Sequence, residues 1–219
     1  RNSCPDYIPY VDFVSAMQTQ FGADNVNTVL CDEVYPELGS TGTNSVAEAD
    51  IAAVAAHEST WQSDYNDAAV VVISRNGSEG NDVYQYASDD TYPDGSPRRM
   101  LDLSTNEEAL ISYLADQKAA GVFDKIVVVL SSEFQMELGF LEEYGVDACL
   151  LVTEAGAPLS KADQELIRRF QGGKVPAVLA INKTDLLEDK SPIMEQIAQY
   201  AGLYGFQAVV PVSAKDGSG

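Results

Sequence analysis

Basic side chains are scarce in this chain: 13 Lys and Arg stand against 34 Asp and Glu in 219 residues, a formal net charge of −21. That balance argues against a nucleic-acid partner, whose affinity would come from Lys and Arg displacing counterions from phosphates. An anionic membrane surface is disfavoured for the same reason. Long apolar runs are missing too, since no stretch approaches the roughly 18 apolar residues of a membrane-spanning helix. The opening RNSCPDYIPY has neither a Met nor the basic-then-apolar profile of a signal peptide, so it reads as the start of a soluble piece cut from a longer chain. Cysteine is sparse: Cys4, Cys31 and Cys149 lie far apart, without the short pair spacings of a zinc site or a redox dithiol. Three ordinary thiols and no bound metal are expected. The single histidine, His57, has no second ligand to pair with and reads as structural.

What is present is a 45% hydrophobic chain of a size that suits one globular domain. Periodicity predicts helices over 7–21, 45–58, 105–120, 135–144, 160–170 and 192–204, and strands over 27–31, 68–73, 125–130, 147–152, 176–181 and 207–212. Ser104 and Glu107 have the spacing of a capping box at the start of the 105–120 helix. Short apolar strands alternating with helices imply right-handed crossovers and a parallel sheet covered on both faces. The expected class is α/β, a single doubly wound, mostly parallel sheet of about six strands, flavodoxin-like or P-loop-like, with the 147–153 strand at its centre. The 7–21 helix is expected to cover apolar surface on that sheet.

Charge is unevenly spread. Residues 1–150 hold 26 acidic and 6 basic side chains, residues 151–219 hold 8 and 7. The two parts differ in composition, which hints at two origins.

In a doubly wound sheet, ligands sit beyond the carboxyl ends of the strands. The loop after Ile73 runs from about 74 to 103 and is long enough to be functional. Arg75, Glu79 and Asp82 supply charge there, and a Glu in such a place can act as a general acid. A basic pair, Arg98 and Arg99, reads as a local ion pair, while Trp61, Tyr84, Tyr86 and Tyr92 read as boundary filling or cover for the sheet.

The blocks AAVVVISRNGSEGNDV, DLSTNEEALISYL and KIVVVLSSEFQMELGFLEEYGVDACLLV resemble, in that order, the α/β sandwich domain of family 3 glycoside hydrolases, the β-glucosidase type, over about 5–150. The resemblance implies that Glu79 corresponds to the family's general acid/base, flanked by Arg75 and Asp82. The family's nucleophilic Asp lies in a separate barrel domain that these 219 residues do not contain. A retaining glycosidase needs two carboxylates about 5 to 5.5 Å apart, so Glu79 is expected to be vestigial.

The last third carries a different pattern. AVLAINKTD is an apolar strand ending in Asn182, Lys183, Thr184 and Asp185, and AVVPVSAKDG is another ending in Ser213, Ala214 and Lys215. An Asp at a strand end accepts two hydrogen bonds from adjacent N–H donors, a pair that guanine offers and adenine does not. The Lys183 stem would cover the base and the Ala214 N–H would meet the guanine oxygen. N-K-x-D and S-A-K on consecutive strands resemble the second half of the G domain of an Era-type GTPase over about 150–217. The resemblance implies a vestigial guanine site at Asn182, Lys183, Asp185, Ser213, Ala214 and Lys215, and a cytoplasmic parent.

No P-loop, G-x-x-x-x-G-K-[S/T], occurs in the chain: Gly173-Lys174 is followed by Val175 and precedes a strand. Half of one α/β domain runs into half of another near 147–154 with no linker, whereas natural fusions join whole domains. The expectation is therefore an engineered chimera, one α/β domain of a glycosidase-derived part (1–150) and a GTPase-derived part (151–219). It is expected to be a monomer with no cofactor, no required partner and no catalysis. The alternatives are a module that keeps a weak affinity for a guanine nucleotide through N-K-x-D and S-A-K, and, behind it, a residual hydrolase of the β-glucosidase or GTPase kind.

Overall fold

The computed structural model describes residues 13–38, 45–75, 83–132, 136–173, 176–187, 189–213 and 215. The chain forms two compact units, residues 1–69 with 80–124, and residues 70–79 with 125–219.

In the first unit, α1 (Phe13–Phe21) stops at Gly22, whose φ of 90° belongs to the region glycine tolerates best. The beginning of the expected 7–21 helix lies outside the described residues. No residue of α1 is fully buried; Phe13 and Phe21 are 45% and 56% exposed, while Val14 and Met17 are half-buried. The strand expected at 27–31 is a second correction. Asn27 Oδ1 accepts from the Val29 N–H at 3.0 Å, Thr28 Oγ1 donates to Asp32 at 2.7 Å, and a π-helical turn, Leu30–Val34, follows. Short polar side chains offer the backbone local partners there, and these win over strand pairing. The 45–58 helix shrinks to α2 (Ile51–Ala55), because Asp50 in extended conformation caps it by accepting from Ala52 N–H.

Strand β1 (Ala68–Arg75) leads out of the first unit. The long loop expected at 74–103 holds an antiparallel hairpin, β2 (Tyr86–Thr91) and β3 (Pro97–Arg99). Its turn carries Pro93-Asp94-Gly95, with Gly95 at φ 82° and Asp94 accepting from the Ser96 N–H and hydroxyl. Helix α3 (Thr105–Ala119) begins with both arms of the expected capping box, Ser104 Oγ accepting from Glu107 N–H and the Glu107 carboxylate accepting from Ser104 N–H. Leu110, Ile111 and Leu114 form its buried stripe.

In the second unit, β1 joins β4 (Lys125–Ser132), β5 (Ala148–Glu154), β6 (Ala177–Asn182) and β7 (Ala208–Pro211) in one sheet of order β1-β4-β5-β6-β7. The four strands from β4 to β7 are parallel, and β5 is the middle strand, as expected. The fold is α/β, a mostly parallel sheet with helices around it, and it has five strands where six were expected because 27–31 does not pair. The connecting helices are α4 (Gly139–Glu143), α5 (Lys161–Gly173) and α6 (Ser191–Leu203). Register aligns Val128 with Cys149 and Cys149 with Ala177, then Leu130 with Leu151 and Leu151 with Leu179, and all six are buried. Residue 150 thus falls inside the central strand of this unit.

Candidate functional site at the ends of strands five to seven

The carboxyl ends of β5, β6 and β7 meet because the register is parallel and unbroken: Glu154 lies opposite Asn182, and Ile181 opposite Pro211. The Ala155 N–H donates to the Asn182 carbonyl at 2.7 Å, and the Val212 N–H donates to Ile181 at 2.8 Å. Beyond β6 the chain must leave the sheet. Lys183, at φ 65°, is the one described non-glycine residue in the left-handed region and makes that turn. Its N–H donates to Asn182 Oδ1 at 2.8 Å. A single 3₁₀ turn, Thr184–Leu186, follows; Thr184 N–H donates to the Val212 carbonyl at 3.2 Å, and the Lys190 ammonium donates to the Thr184 carbonyl.

This turn delivers Asp185 to the end of β7. Ser213 Oγ, itself buried, donates to Asp185 Oδ1 at 2.9 Å, and Lys215 Nζ stands 3.6 Å from Asp185 Oδ2. On the other side Lys183 Nζ donates to Glu154 Oε2 at 2.7 Å. The structure therefore brings together Asn182, Lys183, Asp185, Ser213 and Lys215 of the sequence-derived set, while Ala214 lies outside the described residues. Three lysines, Lys183, Lys190 and Lys215, are gathered at this end of the sheet with the carboxylates Glu154 and Asp185.

Sequence reasoning missed two residues here. Glu154 is the last residue of β5, a strand-end position that could have flagged it. Gln196 of α6 left no sequence signal. It is buried, its Nε2 donates to the Glu154 carbonyl at 2.9 Å, and its Oε1 accepts from Gly156 N–H at 3.0 Å, which fixes the loop after β5. Gly156 itself has φ 77°, and a Cβ there would meet Leu187 Cδ2 at 3.2 Å.

The other described candidate residues contact neighbouring groups of the first unit and of β1. Arg75 is buried and its Nη1 donates to the Ser74 carbonyl at 2.7 Å, while Glu79 and Asp82 lie outside the described residues. Arg98 and Arg99 are paired as expected. Arg98 Nη1 bonds Glu108 at 2.9 Å and the Leu103 carbonyl at 2.8 Å, with its guanidinium over the Tyr92 ring, and Arg99 bonds Asp102 through two nitrogens. A cavity of about 190 Å³ beside them is lined by polar groups turned on one another, such as Asp90, which accepts from Thr105 N–H and Oγ1. Tyr84 is 61% exposed, and Trp61 is buried. His57 Nδ1 lies 3.8 Å from Glu33. Burial pushes the Cys149 thiol up to about 12, which keeps it protonated and inert, and Cys31 is exposed. Among the described residues no acidic, His or Cys group could hold a metal ion, and no helix is long and apolar enough to cross a membrane.

No family profile matches the chain. The apo form of translation elongation factor SelB from Methanococcus maripaludis gives a TM-score of only 0.32 at 16% identity, over 41% of this chain and 21% of that one. Among curated proteins, this chain is similar to GTPase Era of Geobacter metallireducens, 35% identical over 88 residues, which are 40% of this chain and 29% of that protein. GTPase Era of Geotalea uraniireducens is 39% identical over 74 residues, 34% of this chain and 25% of that protein. GTPase Era of Xanthomonas oryzae pv. oryzae is 43% identical over 70 residues, 32% of this chain and 23% of that protein. The chain thus spans under a third of the length of the curated relatives it matches, and its likeness to them is that of a part.

Proposed function

We propose that the ends of β5, β6 and β7 form a guanine-base-reading site on a recombined α/β scaffold that performs no catalysis of its own. The observation that carries this reading is the Asp185 carboxylate, held by Ser213 Oγ at 2.9 Å from the neighbouring strand end, next to a left-handed Lys183. A carboxylate so braced accepts from two adjacent ring and amine N–H groups, which selects guanine over adenine. Partial identity to GTPase Era supports the same assignment.

Hydrolysis is a different matter. Phosphoryl transfer depends on backbone amides and a Lys cradling the phosphates with magnesium, and the motif that supplies them does not occur in these 219 residues. Base reading alone is weak. Each hydrogen bond contributes roughly 0.5 to 1.5 kcal/mol, and association costs at least about 4 kcal/mol. Affinity for GDP is therefore millimolar, corresponding to about −4 kcal/mol, and independent of magnesium.

The origin of residues 1–150 in a family 3 glycoside hydrolase sandwich domain, and so the chimera itself, rests on sequence resemblance. It implies no release of nitrophenol from an aryl β-glucoside and no effect of Glu79→Gln. Calorimetric or NMR titration with GDP tests the base site. Millimolar binding weakened in Asp185→Ala is expected, whereas micromolar, magnesium-dependent binding would sink the proposal by requiring a phosphate site elsewhere in the chain.

A further inference from the structure

We infer that Glu154 is a positioning residue of this base site, acting through Lys183; the inference rests on the guanine-reading assignment above. A lysine stem lies more readily along a flat base when its far end is anchored, because fewer rotamers are left to order. Lys183 has a long, flexible chain, and its side chain is 52% exposed. Left to itself it would sample many rotamers, and ordering them on binding costs side-chain entropy. Its ammonium instead donates to Glu154 Oε2 at 2.7 Å. Both ends of the stem are thereby determined, the near end by the left-handed backbone at Lys183 and the far end by a carboxylate one strand away.

Glu154 is in turn held by its own backbone. Its residue is the last of β5, in register with Asn182, and its carbonyl accepts from buried Gln196, which also takes the Gly156 N–H. The alternative partner within the site, Asp185, is already engaged by Ser213 and Lys215. The two carboxylates therefore have separate tasks. Asp185 reads the base edge, while Glu154 steers the lysine that lies along its face. Face contact is indifferent to which purine is bound, so the two residues leave different signatures.

The test uses the full chain titrated with GDP and with ADP by NMR, together with mass-spectrometric acylation of lysines, Lys161 serving as the internal reference. In the wild type, Lys183 acylates more slowly than Lys161; in Glu154→Gln the two react alike. Glu154→Gln weakens GDP about two- to fivefold, the range of an exposed ion pair, and leaves the GDP-over-ADP ratio unchanged. Glu154→Asp, which keeps the charge, recovers part of the loss. Asp185→Ala abolishes the ratio. Equal Lys183 acylation in wild type and Glu154→Gln overturns the inference, as does undiminished GDP affinity in that variant while Asp185→Ala still removes the preference. Absence of GDP binding in the wild type, or an unaltered ratio in Asp185→Ala, overturns the base-site reading and the role of Glu154 with it.

Discussion

The two units of this chain are held by different physics. In the second, strands β4 to β7 form an unbroken parallel ladder whose inward residues are fully buried aliphatics: Ile126, Val128, Leu179 and Ile181 are each 0% exposed or nearly so. In the first, the regular pairing among the described residues is one short hairpin, and beside an apolar core that includes Val54 and Ile111 the unit relies on side chains that bond to backbone ends: Asp50 on α2, Ser104 and Glu107 on α3, Asp90 on Thr105, and Arg98 between Leu103 and Glu108. A sheet core depends on area and volume, whereas a network of caps and ion pairs depends on each donor finding its acceptor. Substitutions should accordingly be forgiving or costly for different reasons in the two units.

The largest expected effect is in the ladder. Leu179→Ala removes a fully buried side chain from β6 and costs about 2 to 5 kcal/mol of stability, read as loss of amide protection in β5 and β6. Trp61, the sole Trp, belongs to the first unit and reports on it separately by fluorescence. A Trp61 transition that shifts equally in Leu179→Ala would break the comparison by showing that both units melt as one cooperative body. Next comes the network. Arg98→Ala leaves Glu108 and the Leu103 carbonyl without their donor and costs about 2 kcal/mol, seen in the Trp61 transition in urea; a change within error would mean the first unit does not depend on that arginine. Ser104→Ala deletes one arm of the α3 capping box at about 1 kcal/mol, checked in the same unfolding experiment against Ser96→Ala at the hairpin turn.

The smallest effect is one of pH. Burial raises the Glu48 carboxyl above its ordinary value, with the neighbouring Glu107 charge adding to it, against the opposing bonds from Ala49 N–H and Tyr35. A raised acid favours its protonated form in the fold. Its contribution is thus full below the unfolded-state value and lost as pH rises through the folded one. The first unit should gain stability on moving from neutral pH into the carboxylate range, and Glu48→Gln should flatten that gain and stabilise the chain at neutral pH. A variant less stable than wild type at pH 7 would show that the ionised carboxylate is what this site needs.

Much was legible in the sequence where one short-range rule acted without competition. The apolar runs at 125–130, 147–152 and 176–181 became β4, β5 and β6 within two residues at each end, because a doubly buried parallel strand tolerates little else. Ser104 and Glu107 formed the box their spacing prescribes. Where rules competed, reading failed. At 27–31 the β-branched residues favoured a strand, yet Asn27 and Thr28 captured nearby backbone and side-chain groups. In the 74–103 loop the Pro93-Asp94-Gly95 signal for a turn was present, but the flanking strands are polar and gave no periodicity.

The same division holds at the candidate site. Sequence alone determined that Asn182, Lys183, Asp185, Ser213 and Lys215 stand at strand ends, since motif and apolar run adjoin in the chain. Only tertiary structure decided which of them touch. Ser213 meets Asp185 across 28 positions, and Glu154 meets Lys183 across 29, because parallel register aligns the ends of β5, β6 and β7 and a left-handed residue turns the chain at the right point. Register is a property of paired strands and their crossovers, so no single segment encodes it.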